Sequence, residues 1–312
     1  MIIRLPIILL FALLTACGPQ SAPDVAPVDP YAAERPIRFA ALMERERPSA
    51  DHRIAYGPGE HQFGELWLPE GPGPFPLVIM IHGGCWLASL PGLELQDLTA
   101  GDLRARGLAV WNLEYARIGH DTGAWPGTFL DVAAGVDHAR LLADDHDIDL
   151  DRVVLAGHSA GGHLAVWAAG RARIADGPLA PQAPLPVAGV VSLAGILDLE
   201  AFAADGPGRC GEPETVTSLV GPDRGADAYA DSSPARLLPL GVPQVVISGE
   251  LDAIIPPAFG TGYAQAAETA GDPVRDIILP GAGHFELIDP AGPAWMVIVD
   301  EIERLLTHEV DE

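Results

Sequence analysis

Short apolar runs alternate with helical segments along most of this chain. The run at 77–81 is wholly apolar, which is typical of a strand covered on both faces. Similar runs predict further strands at 108–113, 153–156, 187–193, 242–248 and 274–279. Helical spacing predicts one helix over 129–144 and a last amphipathic helix over 293–306. This alternation indicates βαβ units, so we predict an α/β fold with a mostly parallel central sheet flanked by helices.

Two regions depart from that alternation. Residues 53–56 and 65–68 lie on either side of Gly57-Pro58-Gly59, which predicts an antiparallel hairpin. The stretch 199–238 has weak periodicity and two Gly-Pro pairs. We interpret it as a small cap excursion over the carboxyl ends of the strands, where ligands bind in open α/β sheets. A plain surface insertion is the alternative.

The first residues are typical of a targeting segment. One arginine precedes an apolar run over 5–14 that is too short to span a bilayer comfortably, so we predict a signal peptide at 1–16. The small residues before Cys17 resemble a bacterial lipobox. The resemblance implies cleavage before Cys17, lipid on that cysteine, and export to the periplasmic face or cell surface through a membrane anchor. An ordinary signal peptide with a chance cysteine is the alternative.

Composition indicates the domain boundaries and excludes several classes of partner and of catalytic residue. Residues 17–50, rich in Pro and Ala, are interpreted as a linker and N-terminal extension, with a short helix within 35–47, and residues 51–312 as the globular domain. The net charge of −25 argues against a nucleic-acid partner. All 18 basic residues are arginine, and the absence of lysine excludes a Schiff-base lysine, a P-loop lysine and a Ser–Lys dyad.

The most informative motif is Gly157-His158-Ser159-Ala160-Gly161. A strand precedes it and a helix-compatible run over 164–169 follows, as a nucleophile elbow requires. Ser159 is therefore the candidate nucleophile. A glycine-rich turn with an ordinary serine is the alternative, so a base, an acid and an oxyanion site must appear elsewhere.

An oxyanion site is predicted after the strand at 77–81. Gly83 and Gly84 leave backbone N–H groups open to a ligand oxygen, and the N–H of Ala160 completes the candidate oxyanion hole. Residues that flank these glycines are the candidate substrate pocket: His82, Cys85, Trp86 and His158.

The acid and the base are predicted from two loops that follow later strands. Asp252 lies just past the strand at 242–248, with Glu250 as its rival, and His284 lies in a glycine-rich loop after the strand at 274–279. Asp252 would orient His284, which would act as the base for Ser159. No metal site is indicated, because the chain lacks H-E-x-x-H and paired-cysteine spacing.

Once Cys17 is assigned to the lipid anchor, two cysteines remain. Cys85 and Cys210 would then lie in an oxidising compartment, where a disulfide can persist. Both fall in loops that we place near the candidate active site, so we expect a Cys85–Cys210 bridge.

These motifs carry a family resemblance. From about Arg53 to Leu306 the chain resembles bacterial α/β-hydrolase carboxylesterases of the hormone-sensitive-lipase-like group, especially the branch with feruloyl-esterase-like enzymes and kynurenine formamidases. The residues that carry it are His82-Gly83-Gly84-Cys85-Trp86, Asn112-Leu113-Glu114-Tyr115-Ala116-Arg117, Gly157-His158-Ser159-Ala160-Gly161-Gly162, Asp252 and Gly283-His284-Phe285. The chain departs from lipase-like members at Cys85, where they have a third glycine.

The resemblance implies a serine hydrolase that cleaves a small-molecule carboxylic ester through an acyl-enzyme. Ser159, Asp252 and His284 would form the triad, and no cofactor is implied. Two alternatives stay open at this point. One is an arylformamidase or another amide-cleaving hydrolase that uses the same residues. The other is a non-catalytic lipoprotein that keeps the fold as a binding module.

Overall fold

The computed structural model describes residue 2 and residues 36–307. The predicted lipidation site at Cys17, and nearly all of the predicted signal peptide and linker before residue 36, lie outside the described residues. No helix within the described part of the chain is both long and apolar enough to cross a bilayer.

A single sheet of eight strands organises residues 36–307. The strands are β1 (His52–Ala55), β2 (Phe63–Trp67), β3 (Phe75–Ile81), β4 (Ala109–Leu113), β5 (Ile148–His158), β6 (Gly189–Leu193), β7 (Gln244–Gly249) and β8 (Val274–Leu279). Their order is β1-β2-β4-β3-β5-β6-β7-β8. The first two strands form the predicted antiparallel hairpin, and β3 to β8 run parallel. The predicted α/β architecture is confirmed.

Helices occupy the connections between the strands. They are α1 (Phe39–Met43), α2 (Asp97–Ala105), α3 (Gly127–Asp137), α4 (Ala139–Asp145), α5 (Ala160–Gly170), α6 (Leu199–Asp205), α7 (Glu214–Val220), α8 (Pro257–Ala270) and α9 (Pro293–Leu306). The last helix has the predicted bounds. The helix expected over 129–144 is divided at His138 into α3 and α4.

The core explains why the apolar runs form strands. Every residue of β4, β6 and β7 is buried, as is the second half of β5. In contrast, β8 exposes half of its residues, because it is the edge strand. Helix α5 packs across β5 and β6. Because β3, β5, β7 and β8 run parallel, the loops that follow them leave the same edge of the sheet.

The segment 199–238 contains α6, α7 and short 3₁₀ turns. One part of it reaches the loop that follows β3, because Cys210 and Cys85 form a disulfide. The segment is therefore tied covalently to the carboxyl end of a central strand.

Residues 36–50, which composition assigned to the linker, pack against the domain. The backbone N–H of Ile37 donates to Glu286 Oε1 at 2.6 Å. Leu42 is fully buried, and Arg45 forms an ion pair with the buried Asp289. Residues of this N-terminal extension therefore pack against the domain that the sequence analysis places at 51–312. We call residues 36–47 the N-terminal strap.

The Arg45–Asp289 pair provides a test of how firmly the strap is fixed. Replacing Arg45 by Met leaves the stem but removes the charge, so Asp289, whose side chain has no exposed surface, loses its counter-ion. We expect the free energy of unfolding, measured by urea denaturation, to fall by about 3 kcal/mol.

The matched control is Arg236→Met. Arg236 pairs with Glu200 at the surface, where both side chains are more than half exposed. This change should alter the free energy of unfolding by no more than about 0.5 kcal/mol. Equal small effects of the two variants would show that the strap does not contribute to stability.

Candidate active site

The candidate nucleophile lies in a strained turn between β5 and α5. Ser159 has φ 58° and ψ −122°, a conformation that costs a non-glycine residue about 1–3 kcal/mol. The Ser159 N–H donates to the carbonyl of Leu193 at 2.8 Å, and the Ser159 carbonyl accepts the N–H of His163 at 3.1 Å. These bonds to β6 and α5 hold the turn in place.

The glycines of the motif are required by close backbone packing. A Cβ on Gly157 would lie 2.1 Å from the carbonyl oxygen of Gly161, and a Cβ on Gly161 would lie 1.9 Å from that of Ile81. Real Cβ atoms do not approach backbone oxygens so closely. The motif therefore has glycine at these positions because α5 crosses directly over the ends of β3 and β5.

The structure brings His284 and Asp252 together. His284 Nδ1 donates to Asp252 Oδ2 at 2.7 Å, and both residues are buried. Asp252 Oδ1 accepts the backbone N–H groups of Ile254 and Ile255 at 2.8 and 2.9 Å. Because each carboxylate oxygen has a donor, the carboxylate is fixed in one orientation. With Nδ1 donating, a neutral His284 keeps the lone pair of Nε2 free to accept a proton.

The rival acid lies elsewhere. Glu250 is exposed, and its Oε2 accepts the backbone N–H of Gly281 at 2.8 Å. Its carboxylate therefore braces the loop that leads to His284.

Ser159 and His284 line the same cavity, which has a volume of about 160 Å³. Its walls are mostly apolar, and the lining residues are Phe39, Gly84, Cys85, Leu90, Pro91, Leu95, His158, Ser159, Arg209, Ile254, His284 and Phe285. This volume is below the roughly 300 Å³ of sites that enclose a drug-sized ligand. The cavity can therefore enclose a small reacting group beside the serine and the histidine.

His158 connects the elbow to the histidine loop. Its Nε2–H donates to the carbonyl oxygen of His284 at 3.0 Å, and the two rings lie 4.4 Å apart. Burial, together with the neighbouring His284, lowers the pKa of His158 well below its ordinary value. A neutral His158 therefore supports the loop without adding charge beside His284.

The loop after β3 has an unusual backbone. Gly84, Cys85 and Trp86 have φ values of 104°, 49° and 58°, which are strained for the two residues with side chains. The disulfide to Cys210 holds Cys85, and the indole N–H of Trp86 donates to His163 Nδ1 at 3.1 Å. Strain in this loop is thus offset by one covalent bond and one buried hydrogen bond.

Two of the candidate pocket residues lie behind the cavity. Cys85 and His158 line it, whereas His82 and Trp86 are fully buried and are not among the lining residues. His82 Nε2 contacts Glu114 Oε1 at 3.0 Å, and its ring stacks on Tyr115. Trp86 lies in the left-handed turn at Gly84 to Trp86, whereas His82 directly follows β3.

A buried network supports this part of the wall. Burial raises the pKa of Glu114, but His82 and Arg117 outweigh that effect and lower it to about 2. Arg117 in turn donates to the carbonyl oxygens of Leu90 and Pro91, which line the cavity. A charged Glu114 therefore holds Arg117, which fixes the part of the wall formed by Leu90 and Pro91.

The candidate oxyanion donors surround Ser159. Gly84 lines the cavity with it, and Gly83 packs so closely that an added Cβ would lie 3.1 Å from Ser159 Cβ. Ala160 is the first residue of α5, where backbone N–H groups have no partner inside the helix. The three backbone positions are therefore grouped around the serine.

Sequence reasoning missed Glu286 and the strap. The fully buried Glu286 accepts the N–H groups of Gly283 at 2.9 Å and of Ile37 at 2.6 Å, so it joins the His284 loop to the strap. Phe39 of the strap packs on Phe285, with ring centroids 5.3 Å apart, and both line the cavity. The sequence signal that could have indicated Glu286 is a single carboxylate within the apolar run after His284.

Within residues 36–307, no group of three or more His, Cys, Asp or Glu side chains is arranged to hold a metal ion.

A family model described as BD-FAE matches residues 65–265, which is more than half of the chain. The chain belongs to the BD-FAE family. The matched part contains Ser159 and Asp252, and His284 follows it.

The chain is also similar to individual proteins that are named esterases. Esterase LipC of Mycobacterium tuberculosis is 28% identical over 302 residues, a match that covers 91% of this chain and 73% of that protein. A truncated carbohydrate esterase from gut microbiota has a TM-score of 0.67 at 20% identity, covering 85% of this chain and 98% of that one. A bacterial heroin esterase has a TM-score of 0.67 at 22% identity, covering 87% and 88% of the two chains. The expected α/β-hydrolase fold is confirmed, and the chain is an enzyme of the esterase type.

The buried His163 should make the stability of the protein sensitive to acid. Its Nδ1 accepts from Trp86, so its Nε2–H donates to the carbonyl of Ser232 at 2.8 Å. Burial lowers the pKa of His163 from 6.5 to about 4. Between these values the unfolded chain binds a proton that the folded state excludes. The stabilising contribution of His163 to the free energy of unfolding is therefore fully present above pH 6.5. As the pH falls below 6.5, this contribution is progressively lost.

We expect the unfolding free energy to fall by about 2 kcal/mol through His163 alone between pH 7.5 and pH 5. His163→Gln keeps one acceptor and one donor without the titration. Its pH-dependent loss, measured by urea denaturation at both pH values, should therefore be smaller by that amount. Parallel pH curves for the two proteins would show that this group does not titrate on unfolding.

Proposed function

We propose that this chain is a serine carboxylesterase that works through an acyl-enzyme on Ser159. One observation carries the proposal. The imidazole of His284, oriented by its 2.7 Å hydrogen bond to Asp252, lines the same cavity as a serine held in a nucleophile elbow. The esterase relatives support the same reaction class.

The first half of the reaction forms the acyl-enzyme. His284 Nε2 takes the proton of the Ser159 hydroxyl as its oxygen attacks the ester carbonyl, and Asp252 stabilises the resulting imidazolium. The negative charge on the carbonyl oxygen is stabilised by backbone N–H groups at Gly83, Gly84 and Ala160. His284 then gives its proton to the departing alcohol.

The second half reverses these roles with water. His284 removes a proton from water, which attacks the acyl carbonyl, and Ser159 leaves with the proton returned by His284. No residue outside the triad has to transfer a proton in this scheme, and the backbone N–H groups only donate hydrogen bonds to the oxyanion.

The cavity supports a small acyl group as the enclosed part of the substrate. The cavity has a volume of about 160 Å³ and mostly apolar walls, and Ser159 and His284 both line it. The names of the relatives share ester cleavage but differ in the molecule cleaved, a carbohydrate ester in one and heroin in another. We therefore assign the substrate class as a small-molecule carboxylic ester.

Substitutions of the triad test the proposal directly. Ser159→Ala should abolish labelling by a fluorophosphonate and lower kcat/KM for 4-nitrophenyl acetate by at least about 10³-fold. Asp252→Asn should lower kcat by about 10²- to 10⁴-fold, because His284 loses its orienting acceptor. The matched control is Glu250→Gln, which changes the neighbouring exposed carboxylate and should leave kcat within about twofold of the unaltered enzyme.

Two results would contradict the proposal. Well-folded protein that resists the fluorophosphonate would favour a binding module. Equal or greater kcat/KM on N-formylkynurenine than on the ester would favour an amide-cleaving hydrolase.

We further propose that the mature protein is held at a membrane by lipid on Cys17. The apolar run at 5–14 and the small residues that precede Cys17 support this localisation. In a Gram-negative host fed labelled palmitate, the full chain should incorporate label and sediment with membranes. Cys17→Ser should do neither, while Ser21→Ala should behave like the unaltered chain. Membrane recovery of Cys17→Ser equal to that of the unaltered chain would overturn the proposal.

A further inference from the structure

We propose that Arg209 recognises a carboxylate on the ester substrate, so that the preferred substrate carries one negative charge away from the scissile bond. This inference deepens the proposed function and rests on it. Arg209 lies in the segment 199–238 and lines the cavity that contains Ser159 and His284.

The guanidinium of Arg209 is free for a ligand. Within residues 36–307 it makes no ion pair and no side-chain hydrogen bond. The residues that line the cavity include no aspartate or glutamate, so no carboxylate of the wall neutralises it. Arg209 is exposed, as is Arg173, which also forms no ion pair within these residues. Arg209 differs from Arg173 in that it lines the cavity that contains Ser159 and His284.

The loop that carries Arg209 is fixed on both sides of the residue. Cys210 is bonded to Cys85, which itself follows the candidate oxyanion donors. Glu212 accepts the backbone N–H of Gly208 at 2.7 Å on one carboxylate oxygen and that of Cys210 at 3.0 Å on the other. The nearest acidic residue in sequence, Glu212, therefore binds the backbone of the loop, so the backbone of Arg209 is fixed relative to the loop that carries Gly83 and Gly84.

The chemistry of the ligand follows from the charge and shape of arginine. A guanidinium presents a planar set of donors that matches a carboxylate in a two-bond arrangement. Its single positive charge balances a monoanion, whereas a phosphate dianion would leave excess negative charge beside apolar walls. The strongly negative protein otherwise repels anions, so a local cation at the cavity decides which anionic esters can bind.

The test compares matched pairs of esters that differ only in charge. One pair is 4-acetoxybenzoate and 4-acetoxybenzamide, with the carboxylate on the alcohol side. The other is mono-(4-nitrophenyl) glutarate and 4-nitrophenyl pentanoate, with the carboxylate on the acyl side. The quantity measured is the ratio of kcat/KM for the anionic ester to that for the neutral ester. Testing both sides shows which part of the substrate faces Arg209.

For at least one pair, Arg209→Gln should lower this ratio by about tenfold or more, as expected for a lost charge-assisted contact. Arg209→Lys should restore part of it, and 0.5 M salt should reduce the difference. The matched control is Arg173→Gln, which removes an exposed arginine beyond the far end of α5 and should leave both ratios unchanged. Ratios that are the same in the unaltered enzyme and in Arg209→Gln would overturn the inference, while hydrolysis of the neutral esters would leave the proposed function intact.

A binding measurement covers the case in which none of these esters is hydrolysed. Calorimetric titration of Ser159→Ala with 4-acetoxybenzoate should give an affinity about tenfold higher than that of Ser159→Ala combined with Arg209→Gln. Equal affinities, or no binding to either protein, would overturn the inference without reference to catalysis.

Discussion

The close contact of α5 with the ends of β3 and β5 is the constraint on which this site depends. Gly157 and Gly161 meet backbone oxygens at distances that exclude any side chain. Because the backbones approach so closely, the chain must turn sharply between strand and helix, and Ser159 takes the strained position at that turn. In this turn the strain falls on the residue whose hydroxyl has to project from the sheet.

Buried carboxylates hold the loops around that turn. Glu114 binds His82 and, through Arg117, organises the wall of the cavity, while Glu286 joins the His284 loop to the strap. Asp252 uses one oxygen for His284 and the other for its own loop. Each carboxylate has several donors, which offsets the cost of removing its charge from water. The chain thus uses part of its acidic excess as internal supports for an otherwise apolar cavity.

Features with local causes were predictable from the sequence. Apolar runs predicted the central strands, and the glycine-rich elbow predicted the turn at Ser159, because strand burial and tight turns depend on neighbouring residues. The pairing of His284 with Asp252 rather than Glu250 depended on which carboxylate turns inward, and the structure supplies that direction. Helix α8 was not predicted, since its glycines and alanines give weak periodicity.

Features with distant causes were not predictable. The strap meets Glu286 across 249 positions, and no local pattern in a Pro- and Ala-rich segment indicates such a contact. The buried position of Trp86 occurs within a run of left-handed residues, two of which are not glycine. Sequence patterns favour glycine for that conformation, so they do not indicate it at Cys85 or Trp86.

The strap gives this enzyme a second means of varying the shape of its substrate cavity. Phe39 contributes to the cavity, although it comes from a segment that precedes the first strand and adds nothing to the sheet. A substitution at Phe39 can therefore change the shape of the cavity without altering the sheet or the bonds by which Glu286 joins the strap to the His284 loop. A truncated protein that begins at β1 would therefore lack Phe39 of the cavity wall as well as the proposed lipidation site at Cys17.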